Sequence, residues 1–412
     1  MEAATVLNII IGILIFDYVL DQTLSFLNLK SNSRALPTVL ADIFEHDKYQ
    51  KSLEYHRVNT WFGFITSTFS FLVTSTLLLT GAFGKLDFLL RVFISPGILL
   101  SLAFFGVIFL VSDLINMPFS LYKTFVIEEK FGFNKTNVKT FLLDKMKGYL
   151  LTIIVGGLLG SVFLYLVEVL GNNFWYWFWL IISAFLVFVN MFYASLILPL
   201  FNKLVPLEDG KLKQTIYTYS QKVGFPLHNI FVIDGSKRSS KANAFFSGLG
   251  PKKKIVLYDT LIKDQSTEEL VAVLAHEVGH YKKKHIQVGM VLSILQTGLM
   301  LFILSRFVFN PVLSDSLGGI NNAIHLNLIA FGLLFNPIST VIGIGMNMMS
   351  RKNEFEADEF AAKTFSGAPL IAALKKLSAN NLSNLTPHPA YVFFNYSHPP
   401  LLKRLENLKR FI

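Results

Sequence analysis

The sequence predicts a mainly α-helical, polytopic membrane protein carrying a small α+β insert, and three observations predict it. Of 412 residues, 52% are hydrophobic and only 16% charged; the mean hydropathy is +0.51, well outside soluble-domain composition. Seven apolar stretches, 4–27, 60–83, 94–121, 149–170, 174–201, 286–309 and 323–349, are each long enough to cross about 30 Å of hydrocarbon as a helix. Between the fifth and sixth lies a mostly polar segment containing "HNIFVID" and "KKKIVLYD", whose β-branched and aromatic content reads as short strands. Four regions follow: 1–201 with five spans and their loops, 202–285 with the α+β segment, 286–349 with two more spans, and a C-terminal segment 350–412.

The first stretch has no Lys or Arg ahead of Lys30 and no small-residue cleavage site, so it reads as a retained helix rather than a signal peptide. Basic residues set the orientation. Segments 28–59, 122–148, 202–285 and 350–412 carry 5, 6, 14 and 9 Lys/Arg, whereas the opposite connections carry Lys85 and Arg91, with Arg306 near the end of the sixth span. The N-terminus is therefore expected outside and the polar insert in the cytoplasm. The net charge of +10 follows from that topology, with anionic lipid rather than nucleic acid as its partner. There is no cysteine, which excludes disulfides, thiol catalysis, Cys-bound metal and lipid anchoring through Cys.

Two helices are expected to run across the membrane boundary. Ser266 and Glu269 form a capping-box start, and no Pro follows before Pro311, so one helix is predicted to pass from the cytoplasm through the sixth span. A second is predicted from about Ala323 through Arg351 to Ser366, kinked at Pro337 and stopped by Gly367 and Pro369. The N-x-S/T sequons at Asn134, Asn381, Asn384 and Asn395 all fall on the expected cytoplasmic side and read as unused.

The chemistry is carried by His276-Glu277-Val278-Gly279-His280. On a helix the two histidines lie one turn apart and share a face, so both can bind one zinc ion, with Glu277 beside them to take a proton from the attacking water. A third protein ligand is sought in "RKNEFEADEF". There Glu354 and Asp358 are spaced i and i+4, so one carboxylate can bind metal while the other orients a ligand histidine. By spacing alone such an acidic helix is as readily plain surface. Depth favours Glu354: two crossings return the chain to its starting side, within about one or two helical turns of the apolar ends. Glu356 and Glu359 are expected to be solvated. His285, His325 and His388 have no partner at ligand spacing and read as interfacial or loop residues. Asp17, Asp21, Asp113 and Glu168 lie in or near spans, where an ionisable group must face water or a partner.

Several segments together resemble the type I CaaX prenyl proteases, integral-membrane zinc metalloproteases: "FVIEEKFGFNKT", "LPLFNKLVPL", "GSKRSSKANAFFSG", "LAHEVGHYKKKH", "NEFEADEF" and "YSHPPLLKRL". The resemblance implies seven membrane helices enclosing a water-filled chamber, one zinc held by His276, His280 and Glu354, Glu277 as base and Asp358 supporting a ligand. It further implies that Asn243 and Ala244 hold an extended substrate by strand addition. His398 and Arg404 would then lie beside the zinc, to stabilise an oxyanion or grip a carboxylate. The implied substrate is a membrane-presented, lipidated CaaX peptide or protein that loses its last three residues. A quality-control protease for membrane proteins is the alternative enzyme reading. A transporter or zinc-sensing scaffold is disfavoured by Glu277, which a purely structural site would not need. The expected location is a bacterial inner membrane or the endoplasmic reticulum.

Overall fold

The computed structural model describes residues 2–32, 35–37, 40, 46–247, 253–320 and 322–412. Among these, six helical segments are long and apolar enough to cross a membrane: Ala3–Lys30, His46–Leu79, Ile98–Glu128, Val138–Phe201, His285–Phe307 and Ile324–Thr364. The fourth has 64 residues, roughly 96 Å if straight and about three bilayer cores. It folds back instead. Gly171, at φ 53°, opens a short turn Gly171–Asn173, a backbone state glycine adopts without steric cost. The flanking helices Gly157–Leu170 and Phe174–Phe192 then pack together through Phe163 against Phe174 and Phe178. Counted as two crossings, this hairpin restores the seven expected.

The membrane helices turn large apolar side chains outward. Phe16, Leu114, Ile153, Leu158 and Val341 are 62%, 66%, 68%, 65% and 69% exposed, which water would penalise and lipid does not. Polar residues face other helices: Asp17 Oδ2 accepts from Asn336 Nδ2 at 2.5 Å, and Asp113 accepts from Lys145 Nζ at 2.6 Å. Asp21 lines a polar cavity of about 480 Å³ with His56, Asn59 and Tyr396. His325 is no bare interfacial residue: its Nδ1 lies 3.0 Å from Ser101 Oγ and its Nε2 2.8 Å from Asp87 Oδ1. His388 caps the helix Pro389–Asn395, accepting from Ala390 N.

The first predicted continuous helix is in fact two. Ser266 and Glu269 cap it as expected, but the helix Thr267–Lys282 ends at Lys283, and Lys284 sits in the left-handed region at φ 60° before the helix His285–Phe307 begins. The second, Ile324–Thr364, runs unbroken through Pro337. Gly367 and Pro369 start a new helix, Gly367–Asn380, rather than only ending the old one, since Pro is tolerated in a first turn.

The insert contains a four-stranded sheet of β1 (Leu204–Pro206), β2 (Leu227–Ile233), β3 (Ala244–Ser247) and β4 (Lys253–Tyr258), in the order β1-β2-β4-β3. The two sequence-predicted strands are β2 and β4, which pair in parallel; β3 lies antiparallel on β4 at the edge. Leu270, Val271, Leu274 and Val278 of the Thr267–Lys282 helix share one core with Ile255 and Leu257 of β4 and with Ala361 and Leu408 of the C-terminal segment. Ten of the sixteen residues of that helix are buried, including every one from Glu269 to His276. It forms the spine on which the candidate ligands stand.

Candidate metal centre

Two helices meet to build the site. The Thr267–Lys282 helix supplies His276, Glu277 and His280, and the water-side end of Ile324–Thr364, beyond residue 349, supplies Glu354 and Asp358. Gly279 makes the approach possible: a Cβ there would lie 3.0 Å from Ala357 Cα and 3.1 Å from Ala357 O. A larger residue between the two histidines would force the helices apart.

One ligating atom from each of His276, His280 and Glu354 falls within 4.8 Å of the others. His280 Nε2 lies 3.2 Å from His276 Nε2 and 3.2 Å from Glu354 Oε1, and His276 Nε2 lies 3.5 Å from Glu354 Oε2. Atoms bound to one tetrahedral zinc at ~2.0–2.1 Å stand about 3.4 Å apart, so the spacing fits that ion. Glu354 Oε2 is buried without a well-aligned hydrogen bond, its near neighbours being Arg404 Nη1 at 3.2 Å and His276 Nε2 at 3.5 Å. Two imidazole nitrogens turned toward each other beside a carboxylate are the donor set that a tetrahedral zinc ion takes. The residues present therefore fit a zinc site.

A layer of hydrogen bonds holds these groups. Asp358, fully buried, takes His276 Nδ1 at 2.9 Å and is itself gripped by Arg404. Arg404 Nη1 also reaches Glu354 Oε2 at 3.2 Å, and His398 Nδ1 reaches Glu354 Oε1 at 3.0 Å. Burial alone would raise the Glu354 carboxyl, but hydrogen bonds from His276, His280 and His398 hold it far below the usual range. Burial likewise opposes charging His276, yet its bonds to Asp358 and Glu354 prevail and push it up to about 9. Glu277 goes the other way. Removal from water raises its carboxyl, against the pull of His276 and His280, which suits a group that must accept and return a proton.

Asn243 and Ala244 line one cavity of about 330 Å³ together with His276, Glu277, His280, Glu354, His398 and Arg404. All nine residues singled out from sequence thus gather here, Asp358 just behind the wall. Three contributors escaped sequence reading. Asn381, visible only as a sequon, accepts from Ala242 N at 3.2 Å and donates to Ala242 O at 3.4 Å, bracing the entry to β3. His285 and Glu356, read as interfacial and solvated, stack behind His280, with Nδ1 of the two histidines 3.1 Å apart and His285 Nε2 3.3 Å from Glu356 Oε2.

The chain is similar to known proteins along nearly its whole length. Residues 25–203 match the model of the CAAX prenyl protease N-terminal region, five membrane helices, and residues 206–412 match peptidase family M48. The chain is 35% identical to the CAAX prenyl protease 1 homolog of Arabidopsis thaliana over 97% of this chain and 96% of that one. It is 34% identical to CAAX prenyl protease 1 of Saccharomyces cerevisiae over 92% and 89%. The crystal structure of S. mikatae Ste24p superposes with a TM-score of 0.93 at 32% identity, covering 98% of this chain and 99% of that one. With a histidine–glutamate site on two packed helices and relatives matched along nearly its whole length, the chain belongs to the M48 metalloproteases of the CAAX prenyl protease type, membrane-embedded zinc endopeptidases.

Proposed function

We propose that this enzyme removes the C-terminal tripeptide of prenylated CaaX substrates, using one zinc held by His276, His280 and Glu354. The observation that carries the reading is the shared cavity: the end of an edge strand and the metal-ligating cluster line the same space. An extended peptide pairing with β3 through its backbone would bring a scissile carbonyl to the histidines, as strand addition does elsewhere. Zinc, when bound, polarises that carbonyl and makes water nucleophilic near neutral pH. Glu277 takes the proton from the attacking water and returns it to the leaving amine. His398, whose side chain is 66% exposed with Nδ1 turned to Glu354, can donate from Nε2 to the developing oxyanion in its doubly protonated form, the second proton being the one Nδ1 gives to Glu354. Arg404 already serves two carboxylates and acts by holding them in place.

Polar cavities of about 490 and 480 Å³, sharing His56 and Tyr396, lead from His398 and Arg404 into the space between the membrane helices. They give water a route to a bond presented near lipid. The catalytic segments 202–285 and 350–412 face the cytoplasm in this reading, with the N-terminus outside. A prenyl chain inserted among apolar side chains contributes about 0.8 kcal/mol per buried CH₂, enough to favour lipidated peptide strongly. Mass spectrometry of parallel digests of a farnesylated CaaX peptide and its unmodified twin tests this. Cleavage next to the modified Cys, far faster for the farnesylated peptide, is expected. Equal cleavage of both would leave the protease and remove the prenyl requirement, favouring a quality-control role.

A further inference from the structure

We propose that His285 and Glu356 form a hydrogen-bonded relay that fixes the orientation and tautomer of His280 as a metal ligand, and that the helix break at Lys283–Lys284 exists to build it. The inference rests on His280 being a ligand. His280 turns Nε2 toward His276 and Glu354; for that atom to offer a lone pair, the ring proton must sit on Nδ1. Nδ1 then donates to His285 Nδ1, 3.1 Å away. With its Nδ1 accepting, His285 carries its own proton on Nε2, which faces Glu356 Oε2 at 3.3 Å. Each atom in the chain from Glu356 to His280 thus has one role. The His285 side chain is only 9% exposed, so water is a poor substitute for it.

Chain geometry has to be specially arranged for the contact to form. On an unbroken helix, residues five apart point about 140° away from each other, so His285 would face away from His280. Lys284, at φ 60° and ψ 26°, adopts a left-handed conformation that residues with a Cβ seldom hold without a reason. That single turn swings His285 beneath His280, with ring planes 74° apart and centroids at 5.1 Å. The two ligand histidines are then backed differently: His276 directly by Asp358, His280 through a second imidazole. On its other side Glu356 Oε1 faces Lys352 Nζ at 3.8 Å.

The test measures zinc affinity of the purified full chain by chelator competition, with bound zinc counted by elemental mass spectrometry and the metal-free melting temperature followed alongside. Loss of a group backing a metal-ligating histidine typically weakens affinity about 10- to 100-fold, and this is expected for His285→Phe. His285→Asn, whose Oδ1 can replace the Nδ1 acceptor, should recover most of it. Glu356→Leu, which removes the acceptor, should weaken zinc at an unchanged metal-free melting temperature, and combined with His285→Phe should add nothing further. Wild-type affinity in Glu356→Leu and His285→Asn alike with no loss in His285→Phe, or losses that simply add, would overturn the relay. Should His285→Phe fail to fold, unchanged affinity in Glu356→Leu alone overturns it. His280→Ala is the separate arm: if it keeps zinc, the ligand assignment itself fails and takes the relay with it.

Discussion

Arg404 grips Asp358 through two parallel hydrogen bonds, Nε to Oδ2 at 2.9 Å and Nη2 to Oδ1 at 2.6 Å. Since Asp358 in turn holds His276 Nδ1, the guanidinium sets the direction of a metal-ligating ring it barely touches. A planar fork can do this and a point charge cannot. Arg404→Lys is therefore expected to keep the fold but weaken zinc by roughly 10- to 100-fold, measured by chelator competition. Unchanged affinity would show that Asp358 needs no clamp.

Gly279 is the contact that lets the ligand helices meet. Gly279→Val would place side-chain carbons where Ala357 backbone already stands, moving His276 and His280 away from Glu354. Because ligand geometry tolerates only about ±0.2 Å, bound zinc should drop well below one per chain, counted by elemental analysis. Gly279→Ala, with one carbon at the edge of tolerable contact, should lose less. Full zinc in the valine variant would mean that the helices are free to slide.

Much of this was legible in the sequence, and the reasons are local. Spans are announced by runs of apolar residues, the start of the Thr267–Lys282 helix by Ser266 and Glu269, and the site by His276 and His280, whose spacing has meaning on any helix, while Glu354 is favoured only by its depth and by the family resemblance. What stayed hidden depended on partners far along the chain or on backbone without a signal. Ser101 and Asp87 lie 224 and 238 positions from His325, so nothing near His325 revealed that it was paired. The break after Lys283 contains no Gly, Asn or Pro, the residues by which such turns are usually found. Missing the break meant missing His285, and with it the reason for Glu356.

Orientation is open to a clean labelling experiment because the chain has no native cysteine. Ser95 and Asp209 are both exposed and lie on opposite sides in the topology set by the basic loops. A single Cys at position 95 should react with an impermeant thiol reagent from outside intact cells or vesicles. One at position 209 should react only after the cytoplasmic face is opened. The reverse pattern would turn the protein over in the membrane.

The central claim is that His276, His280 and Glu354 hold zinc while Glu277 moves the proton, and one substitution separates these tasks. Glutamine at position 277 preserves size and leaves all three ligands in place, but it cannot accept a proton from water. Zinc content and cleavage of a farnesylated CaaX peptide, measured on the same preparation of Glu277→Gln, should give about one zinc per chain together with a rate about 10²- to 10⁴-fold below wild type. Wild-type cleavage with zinc bound would contradict the account.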